Sequence, residues 1–223
     1  MSRAQAKPER RVVSQAGFRG LYAVTPDDPD IGSLVSKVRE ALAGGARILQ
    51  YRNKSANAAL RREQSVALLA LCREARVPLV INDDLGLARA IGADGLHLGR
   101  VDISIAAARA QLGEDRLLGV SCYDRLELAL AAREAGADYV AFGSAFPSAT
   151  KPEATRAPLS LYREASARLD SPIVAIGGIT TENAHAVIEA GADAVAVISA
   201  LFDAPDIEAA ARSFSRLFDK KNP

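Results

Sequence analysis

Short apolar runs alternate along the chain with longer segments of helical period, starting at Gly20. The runs are continuously apolar, which is typical of strands that are buried on both faces of a parallel sheet. Eight of them occur, at residues 21–24, 47–51, 78–81, 95–98, 117–120, 139–142, 173–176 and 194–198. One-sided apolar helical faces are predicted between them, for residues 33–42, 104–112, 124–135 and 182–190. The pattern therefore predicts a regular alternation of strands and helices.

A short glycine-containing repeat supports this alternation. Gly-Ala-Asp or Gly-Ala-Arg separates a helix from the next strand at Gly45, Gly92, Gly136 and Gly191. Glycine can adopt the left-handed conformation that ends a helix, and two strand–helix units separate consecutive copies. Residues 20–223 are thus predicted to form one α/β domain, a single (β/α)₈ TIM barrel. An open doubly wound sheet is the alternative, and the lack of a Gly-x-Gly-x-x-Gly turn disfavours it.

Residues 1–19 are predicted to be a disordered, solvated tail. This segment carries several basic residues but no continuous apolar stretch, so it does not resemble a secretory signal. The chain has 28 basic and 27 acidic residues, and this balance gives no general attraction for nucleic acid. Two cysteines exclude a disulfide framework and fit a reducing, cytoplasmic compartment. No apolar stretch approaches the roughly 20 residues of a membrane span.

Polar, basic and glycine residues collect where the predicted strands end. In a barrel this is the mouth at which functional residues lie. Asp83 and Asp102 follow neighbouring strands, and their carboxylates suit Mg²⁺, which also binds substrate phosphates. Helix capping is the alternative for both, and capping is the preferred interpretation of Asp84.

Two different anion sites are predicted at the same mouth. Arg52, Lys54 and Lys151 would form a basic pocket suited to a diphosphate, with plain surface charge as the alternative. Gly177-Gly178 and Ile198-Ser199 match the backbone phosphate site of barrels, although a Gly-Gly pair can also merely relieve crowding. Together they indicate a transferase that joins two small phosphorylated molecules.

Four further reactive side chains are not assigned to the site. His97 ends a strand, and two interpretations of it stay open. It acts in proton transfer, or it is an interior histidine that is hydrogen-bonded to its neighbours. Cys122 lies near the mouth, without a neighbouring histidine that would activate it. Cys72 is expected in the core and His185 on a helix surface.

Seven motifs at successive strand ends resemble the thiamine phosphate synthase (thiamine-phosphate pyrophosphorylase) family. They are Gln50-Tyr-Arg-Asn-Lys54, Ile81-Asn-Asp83, Gly95-Leu-His-Leu-Gly-Arg-Val-Asp102, Gly119-Val-Ser121, Phe146-Pro-Ser-Ala-Thr-Lys151, Ile176-Gly-Gly-Ile179 and Val197-Ile-Ser199. The resemblance implies a (β/α)₈ barrel that joins hydroxymethylpyrimidine diphosphate to a thiazole phosphate, or to its carboxylated form. Thiamine phosphate and pyrophosphate would be the products, with Mg²⁺ as cofactor.

The resemblance also implies a role for each matching residue. Asp83 and Asp102 would hold the metal, and Arg52, Lys54 and Lys151 would act in catalysis. Substrate contacts are implied for Gln50, Tyr51, Arg52, Asn53, Lys54, Asn82, Ser121, Ser148, Ala149, Thr150, Lys151, Gly178, Ile198 and Ser199. Arg100 departs from the family, which usually has Gln at this point of its Gly-Gln-x-Asp run.

Two other functions compete with the synthase. A thiazole tautomerase on the same barrel would need proton-transfer groups but neither the metal pair nor the diphosphate cations. A non-catalytic phosphate-binding barrel would bind ligands without turnover. The expected partners are small phosphorylated substrates, with no nucleic acid or membrane, and the sequence leaves homo-oligomer formation open.

Overall fold

Eight parallel strands close into a barrel in the computed structural model, which describes residues 15–99, 103–147 and 155–219. The strands are β1 (Gly20–Val24), β2 (Ile48–Tyr51), β3 (Leu79–Asn82), β4 (Gly95–Leu98), β5 (Leu117–Tyr123), β6 (Tyr139–Phe142), β7 (Ile173–Ile176) and β8 (Ala194–Val197). Each strand pairs with its neighbour in the sequence, and β1 also pairs with β8. The predicted (β/α)₈ barrel is confirmed.

Helices connect the strands and surround the barrel. They are α1 (Gln15–Phe18), α2 (Ile31–Ala43), α3 (Ala58–Ala75), α4 (Leu85–Ile91), α5 (Ile105–Leu112), α6 (Leu126–Glu134), α7 (Leu159–Arg168), α8 (Ala184–Glu189), α9 (Ser199–Phe202) and α10 (Ile207–Arg216). The four helices predicted from one-sided apolar faces are all present. Among the described residues, no helix has the length and apolar character needed to cross a membrane.

Helix α2 shows why these segments are helical. The Asp30 side chain accepts a hydrogen bond from the Ser33 amide at 2.6 Å, which satisfies a backbone donor that the first turn leaves open. Leu34, Val38 and Ala41 then fall on one face at helical spacing and are fully buried. Local capping and burial of one face therefore act together.

Alternate residues of each strand face the barrel interior and the surrounding helices. The inner cluster comprises Phe18, Tyr22, Val24, Ile48, Val80, Tyr139, Ala141, Val174, Ala194 and Ala196. The intervening strand residues, such as Leu21, Leu49 and Leu96, join a second cluster that contacts the helices. Since both faces are covered, the strands have continuously apolar sequences.

The predicted tail is wrong for its last residues. Residues 15–18 form α1, and Phe18 is only 1% exposed at the base of the barrel. Its ring centroid lies 4.7 Å from that of Tyr139 and 6.3 Å from that of Tyr22. An apolar ring at the end of a polar segment is thus part of the core. Residues 1–14 lie outside the described ranges.

The glycine-containing repeat ties neighbouring strands together at this base. All four glycines have positive φ, between 70° and 107°. In three copies the aspartate accepts a hydrogen bond from a backbone amide at the start of the preceding strand: Asp94 from Leu79, Asp138 from Leu118 and Asp193 from Ile173, at 2.8–2.9 Å. The repeat is therefore a structural device at the end of the barrel opposite the predicted site.

Candidate active site

The mouth of the barrel collects the polar residues at the strand ends. Gln50, Asn82 and Ser121 belong to β2, β3 and β5, and their positions in the strands turn them toward the interior. A cleft of about 430 Å³ opens beside the ends of β2 and β3. Its lining includes the side chains or backbone of Arg52, Lys54, Asn82 and Asp83.

Asp83 is held firmly between the ends of β3 and β4. Its backbone amide donates to the His97 carbonyl at 2.8 Å, and its φ of 60° lies in the left-handed region that aspartate tolerates. One carboxylate oxygen accepts from the Gly99 amide at 2.7 Å, and the other accepts from the Asn82 side-chain amide at 2.7 Å. The carboxylate is therefore fixed in orientation beside the cleft.

The donors at this position fit a hard divalent cation. Each carboxylate oxygen of Asp83 accepts one hydrogen bond from the described residues and has further lone pairs. Across the described ranges, no group of three or more histidine, cysteine or acidic side chains could hold a metal. A cation at Asp83 would therefore need waters, substrate phosphates or a residue such as Asp102, which lies outside the described residues. Mg²⁺ binds in this manner, through one or two carboxylates plus phosphate oxygens.

Arg52 and Lys54 lie on a loop that is fixed to the end of β1. The Thr25 hydroxyl donates to the Arg52 carbonyl and accepts from the Arg52 amide, both at 2.9 Å. Asp27 accepts from the Arg52 guanidinium at 3.3 Å and from the Lys54 amide at 3.1 Å. The Arg52 side chain is 24% exposed, so it is ordered by Asp27 yet accessible from the cleft. Sequence reasoning did not identify Thr25 or Asp27.

Tyr51 and Asn53 also line the cleft, but the polar atoms of their side chains bond within the protein. The Tyr51 hydroxyl donates to Gln64 of α3 at 2.8 Å, behind the strand. Asn53 is also buried, and it donates to the Asp28 carbonyl at 2.9 Å and to Gln64 at 3.1 Å. Both side chains therefore help to hold the loop, and their roles as substrate contacts stay predictions. The strand alternation could have shown the orientation of Tyr51, because it follows the inward-facing Gln50.

A chain of hydrogen bonds runs through the barrel interior below the mouth. Gln50 donates to the Tyr22 hydroxyl at 2.9 Å, and the Tyr22 and Tyr139 hydroxyls lie 2.7 Å apart. His97 has Nδ1 3.0 Å from the Tyr139 hydroxyl and Nε2 2.9 Å from the Ser121 hydroxyl. Of the two roles left open for His97, the structure shows the interior one, because both ring nitrogens are hydrogen-bonded to neighbours. Tyr22 and Tyr139 were not identified from the sequence.

Burial keeps the middle of this chain uncharged. It lowers the pKa of His97 to about 4, and the negative charge of Asp83 opposes this shift only in part. Burial likewise raises the pKa of Tyr22 to about 12, although hydrogen bonds from its neighbours act in the opposite direction. The imidazole and the phenol are therefore both neutral near pH 7.

Gly119 makes room for Tyr139. A β-carbon at position 119 would overlap the Tyr139 phenol ring and its hydroxyl. The absence of a side chain in β5 thus allows the ring to cross toward Tyr22 and His97. The Gly119-Val-Ser121 motif supplies both this space and the hydroxyl at the end of the chain.

Glycines and a helix start form the other side of the mouth. Gly177 and Gly178 have φ of 99° and 63°, and a β-carbon at Gly178 would collide with the carbonyls of the Phe146–Pro147 segment. Asn183 donates to the Gly178 carbonyl at 2.9 Å and so fixes the turn. Helix α9 begins at Ser199, where the first backbone amides have no intrahelical partner. These groups suit a phosphate that is bound by neutral backbone.

The remaining predicted residues divide into two groups. Those outside the described residues are Arg100, Asp102, Ser148, Ala149, Thr150 and Lys151. Asp84 caps α4 by accepting from the Leu87 amide at 2.8 Å, and Cys72 is buried and His185 exposed, as predicted. Cys122 is fully buried in the cluster that contacts the helices, so its thiol does not face the mouth.

Comparisons with known proteins show which proteins the chain is similar to. The family described as thiamine monophosphate synthase matches residues 21–201. The thiamine-phosphate synthase of Methylobacillus flagellatus is 57% identical over 202 residues, which cover 91% of this chain and 96% of that protein. The protein of the same name from Nitrosospira multiformis is 49% identical over 222 residues, covering 100% and 92%. The solved structure of thiamine phosphate pyrophosphorylase from Pyrococcus furiosus has a TM-score of 0.82 at 35% identity, covering 91% and 96%.

Proposed function

The chain belongs to the thiamine monophosphate synthase family, and we propose that it joins hydroxymethylpyrimidine diphosphate to a thiazole phosphate. Thiamine phosphate and pyrophosphate are the products. The observation that carries the proposal is that polar groups of two different kinds lie at one mouth of the barrel. One combines Asp83 with the cations of the β2 loop, and the other consists of neutral backbone after β7 and β8.

The charged side of the mouth would receive the diphosphate. As the bond between the pyrimidine methylene carbon and the diphosphate oxygen breaks, negative charge grows on the leaving group. Arg52 and Lys54, together with Lys151, would stabilise that charge, since preorganised cations act most strongly where charge develops. Asp83 and Asp102 would hold Mg²⁺, which, when bound, acts as a Lewis acid on phosphate oxygens.

The interior side of the mouth would hold the pyrimidine ring. Gln50 and Ser121 face the barrel interior near the ends of β2 and β5, and Asn82 is the last residue of β3. Gln50 is only 6% exposed, so a ring above it would be shielded from water. Shielding protects the cation-like carbon that forms when the diphosphate leaves.

The neutral side would hold the thiazole phosphate. Backbone amides at Gly178, Ile198 and Ser199 would bind its phosphate, with Ser148 and Thr150 as further contacts. The thiazole nitrogen then forms the new bond to the pyrimidine methylene carbon. Holding both substrates in place supplies much of the rate enhancement, because it replaces a bimolecular encounter.

The two alternative functions are less well supported. A tautomerase would need a proton-transfer group, but both ring nitrogens of His97 are hydrogen-bonded and burial lowers its pKa to about 4. The Cys122 thiol after Ser121 is turned away, and burial raises its pKa to about 12. The proposal includes a cytoplasmic location, which is supported by free thiols at Cys72 and Cys122.

The proposed activity predicts metal-dependent coupling. Purified protein mixed with both phosphorylated precursors and Mg²⁺ is expected to form thiamine phosphate and pyrophosphate in equal amounts. Excess EDTA should abolish the reaction and added Mg²⁺ restore it, because the diphosphate charge would otherwise be under-compensated. Liquid chromatography of the products is the measurement.

Each alternative has a distinct outcome in the same assay. Substrate binding without product would support the non-catalytic barrel, and isomerisation of the thiazole alone would support the tautomerase. Full activity in excess EDTA would refute the role of Mg²⁺ while leaving the coupling reaction intact. Competition between the thiazole phosphate and its carboxylated form would then establish the preferred substrate.

A further inference from the structure

The hydrogen-bonded chain in the barrel interior connects two groups at the mouth. It begins at Gln50, passes through Tyr22, Tyr139 and His97, and ends at Ser121. Tyr22 and Tyr139 are at most 1% exposed, whereas Gln50 and Ser121 lie nearer the opening. A fully satisfied buried polar chain specifies one arrangement, because any broken link leaves a costly unpaired group.

Given its first link, one direction gives every buried proton of the chain an acceptor. The Gln50 side-chain nitrogen donates to Tyr22, so the single Tyr22 proton is available for Tyr139. In this arrangement Tyr139 donates to Nδ1 of His97, which is then the unprotonated ring nitrogen. The neutral ring carries its proton on Nε2 and donates it to the Ser121 oxygen. Four links thus point the same way, from Gln50 to Ser121.

This direction fixes what the two ends offer to a ligand. The chain uses the Gln50 amide nitrogen and leaves its carbonyl oxygen as an acceptor. The Ser121 oxygen accepts within the chain, so the Ser121 proton is left to donate. A matching ring would present an amine toward Gln50 and an unprotonated nitrogen toward Ser121. An aminopyrimidine has both features, whereas an oxo-pyrimidine with a ring N–H reverses them.

We propose that Tyr22, Tyr139 and His97 are positioning residues that orient Gln50 and Ser121 for an aminopyrimidine and against its oxo counterpart. The inference rests on the proposed function for the identity of the ring. It goes beyond that function by assigning selectivity to three residues that lie beneath the binding groups. None of the three needs to change its protonation state for this role.

The first test determines the direction of the hydrogen bonds from Gln50 to Ser121, and it needs no substrate. The protein has two histidines, and the exposed His185 serves as an internal reference for His97. Long-range ¹H–¹⁵N NMR of wild-type protein is expected to show His97 in the Nε2–H tautomer. Tyr139→Phe should remove this bias, because Nδ1 loses its donor. A wild-type Nδ1–H tautomer would overturn the inference.

The second test measures selectivity by calorimetric binding, so it does not depend on turnover. Hydroxymethylpyrimidine diphosphate and its 4-oxo analogue are the two ligands. Tyr22→Phe and Tyr139→Phe should each reduce the preference for the amino form by about three- to ten-fold, as loss of one oriented hydrogen bond implies. The double variant should lose little more than either single variant, since one break already disconnects the chain.

Tyr162→Phe is the matched control for loss of a buried hydroxyl. Tyr162 is fully buried and donates to the Phe142 carbonyl at 3.0 Å, outside the chain. The Tyr162→Phe variant should lose about as much stability as the Tyr22→Phe and Tyr139→Phe variants. Its preference for the amino form should be unchanged. An unchanged preference in both chain variants, or an equal loss in the control, would overturn the inference. Normal selectivity without formation of thiamine phosphate would instead contradict the proposed function alone.

Discussion

Asp83→Asn is expected to lower kcat at least about a hundred-fold, because it removes the charge that would hold Mg²⁺ beside the diphosphate. The fold should survive the change. Asparagine tolerates the φ of 60° at this position, and its carbonyl oxygen can still accept from the Gly99 amide. The Asn82 side chain can rotate to offer its oxygen to the new amide. Steady-state kinetics at several Mg²⁺ concentrations, with thermal unfolding alongside, measure both effects.

Asp84→Asn is the matched control for this substitution. Asp84 is the next residue and carries the same charge, but its carboxylate caps α4 through the Leu87 amide. Asparagine is an equally good cap, so this variant should keep both its stability and its turnover. Equal losses in the two variants would show that general negative charge matters rather than the Asp83 site. Wild-type turnover in Asp83→Asn would contradict the assignment of Asp83 as a ligand of Mg²⁺.

The fold could be predicted because parallel strands in a barrel are covered on both faces. That burial produces the continuous apolar runs seen in β3 and β7, and they are visible without any alignment. The apolar runs do not show where a strand ends if polar residues continue it. Strand β5 extends through Ser121 to Tyr123, with a register shift against β6, although the apolar run stops at Val120.

The site could be predicted only to the level of strand ends. The rule that barrel chemistry lies beyond those ends selects Gln50, Asp83 and Ser121 as candidates. It does not say which way a side chain turns, so it could not show that the Tyr51 and Asn53 side chains bond to Gln64 and Asp28 within the protein.

The interior chain could not be predicted from local sequence. Tyr22 and Tyr139 are separated by 117 positions, and their hydroxyls meet only because the barrel closes. In the sequence, neither tyrosine stands out from the other residues of its largely apolar strand. The same holds for Asp27, which looks like an ordinary loop carboxylate until the β1 and β2 loops come together.

Arg109 is another residue whose role the sequence conceals. It lies in α5 among alanines, where a charged side chain would be expected on the surface, yet it is only 6% exposed. Its guanidinium donates to the carbonyls of Gly113, Arg116 and Gly136 at 2.6–3.1 Å. It also forms an ion pair with the buried carboxylate of Asp138. That carboxylate belongs to the glycine repeat and fixes the start of β5.

Arg109→Met is therefore expected to destabilise the protein by about 3–5 kcal/mol, because it removes the guanidinium that pairs with a buried carboxylate and donates to three carbonyls. Urea unfolding measures the loss. The control is Arg133→Met in α6, whose partner Asp170 is 78% exposed, and it should cost at most about 1 kcal/mol. Turnover per folded molecule should be unchanged in both variants, since Arg109 lies at the base of the barrel. Similar losses of stability for the two variants would contradict the argument, and a selective loss of turnover in Arg109→Met would show that the two ends of the barrel are coupled.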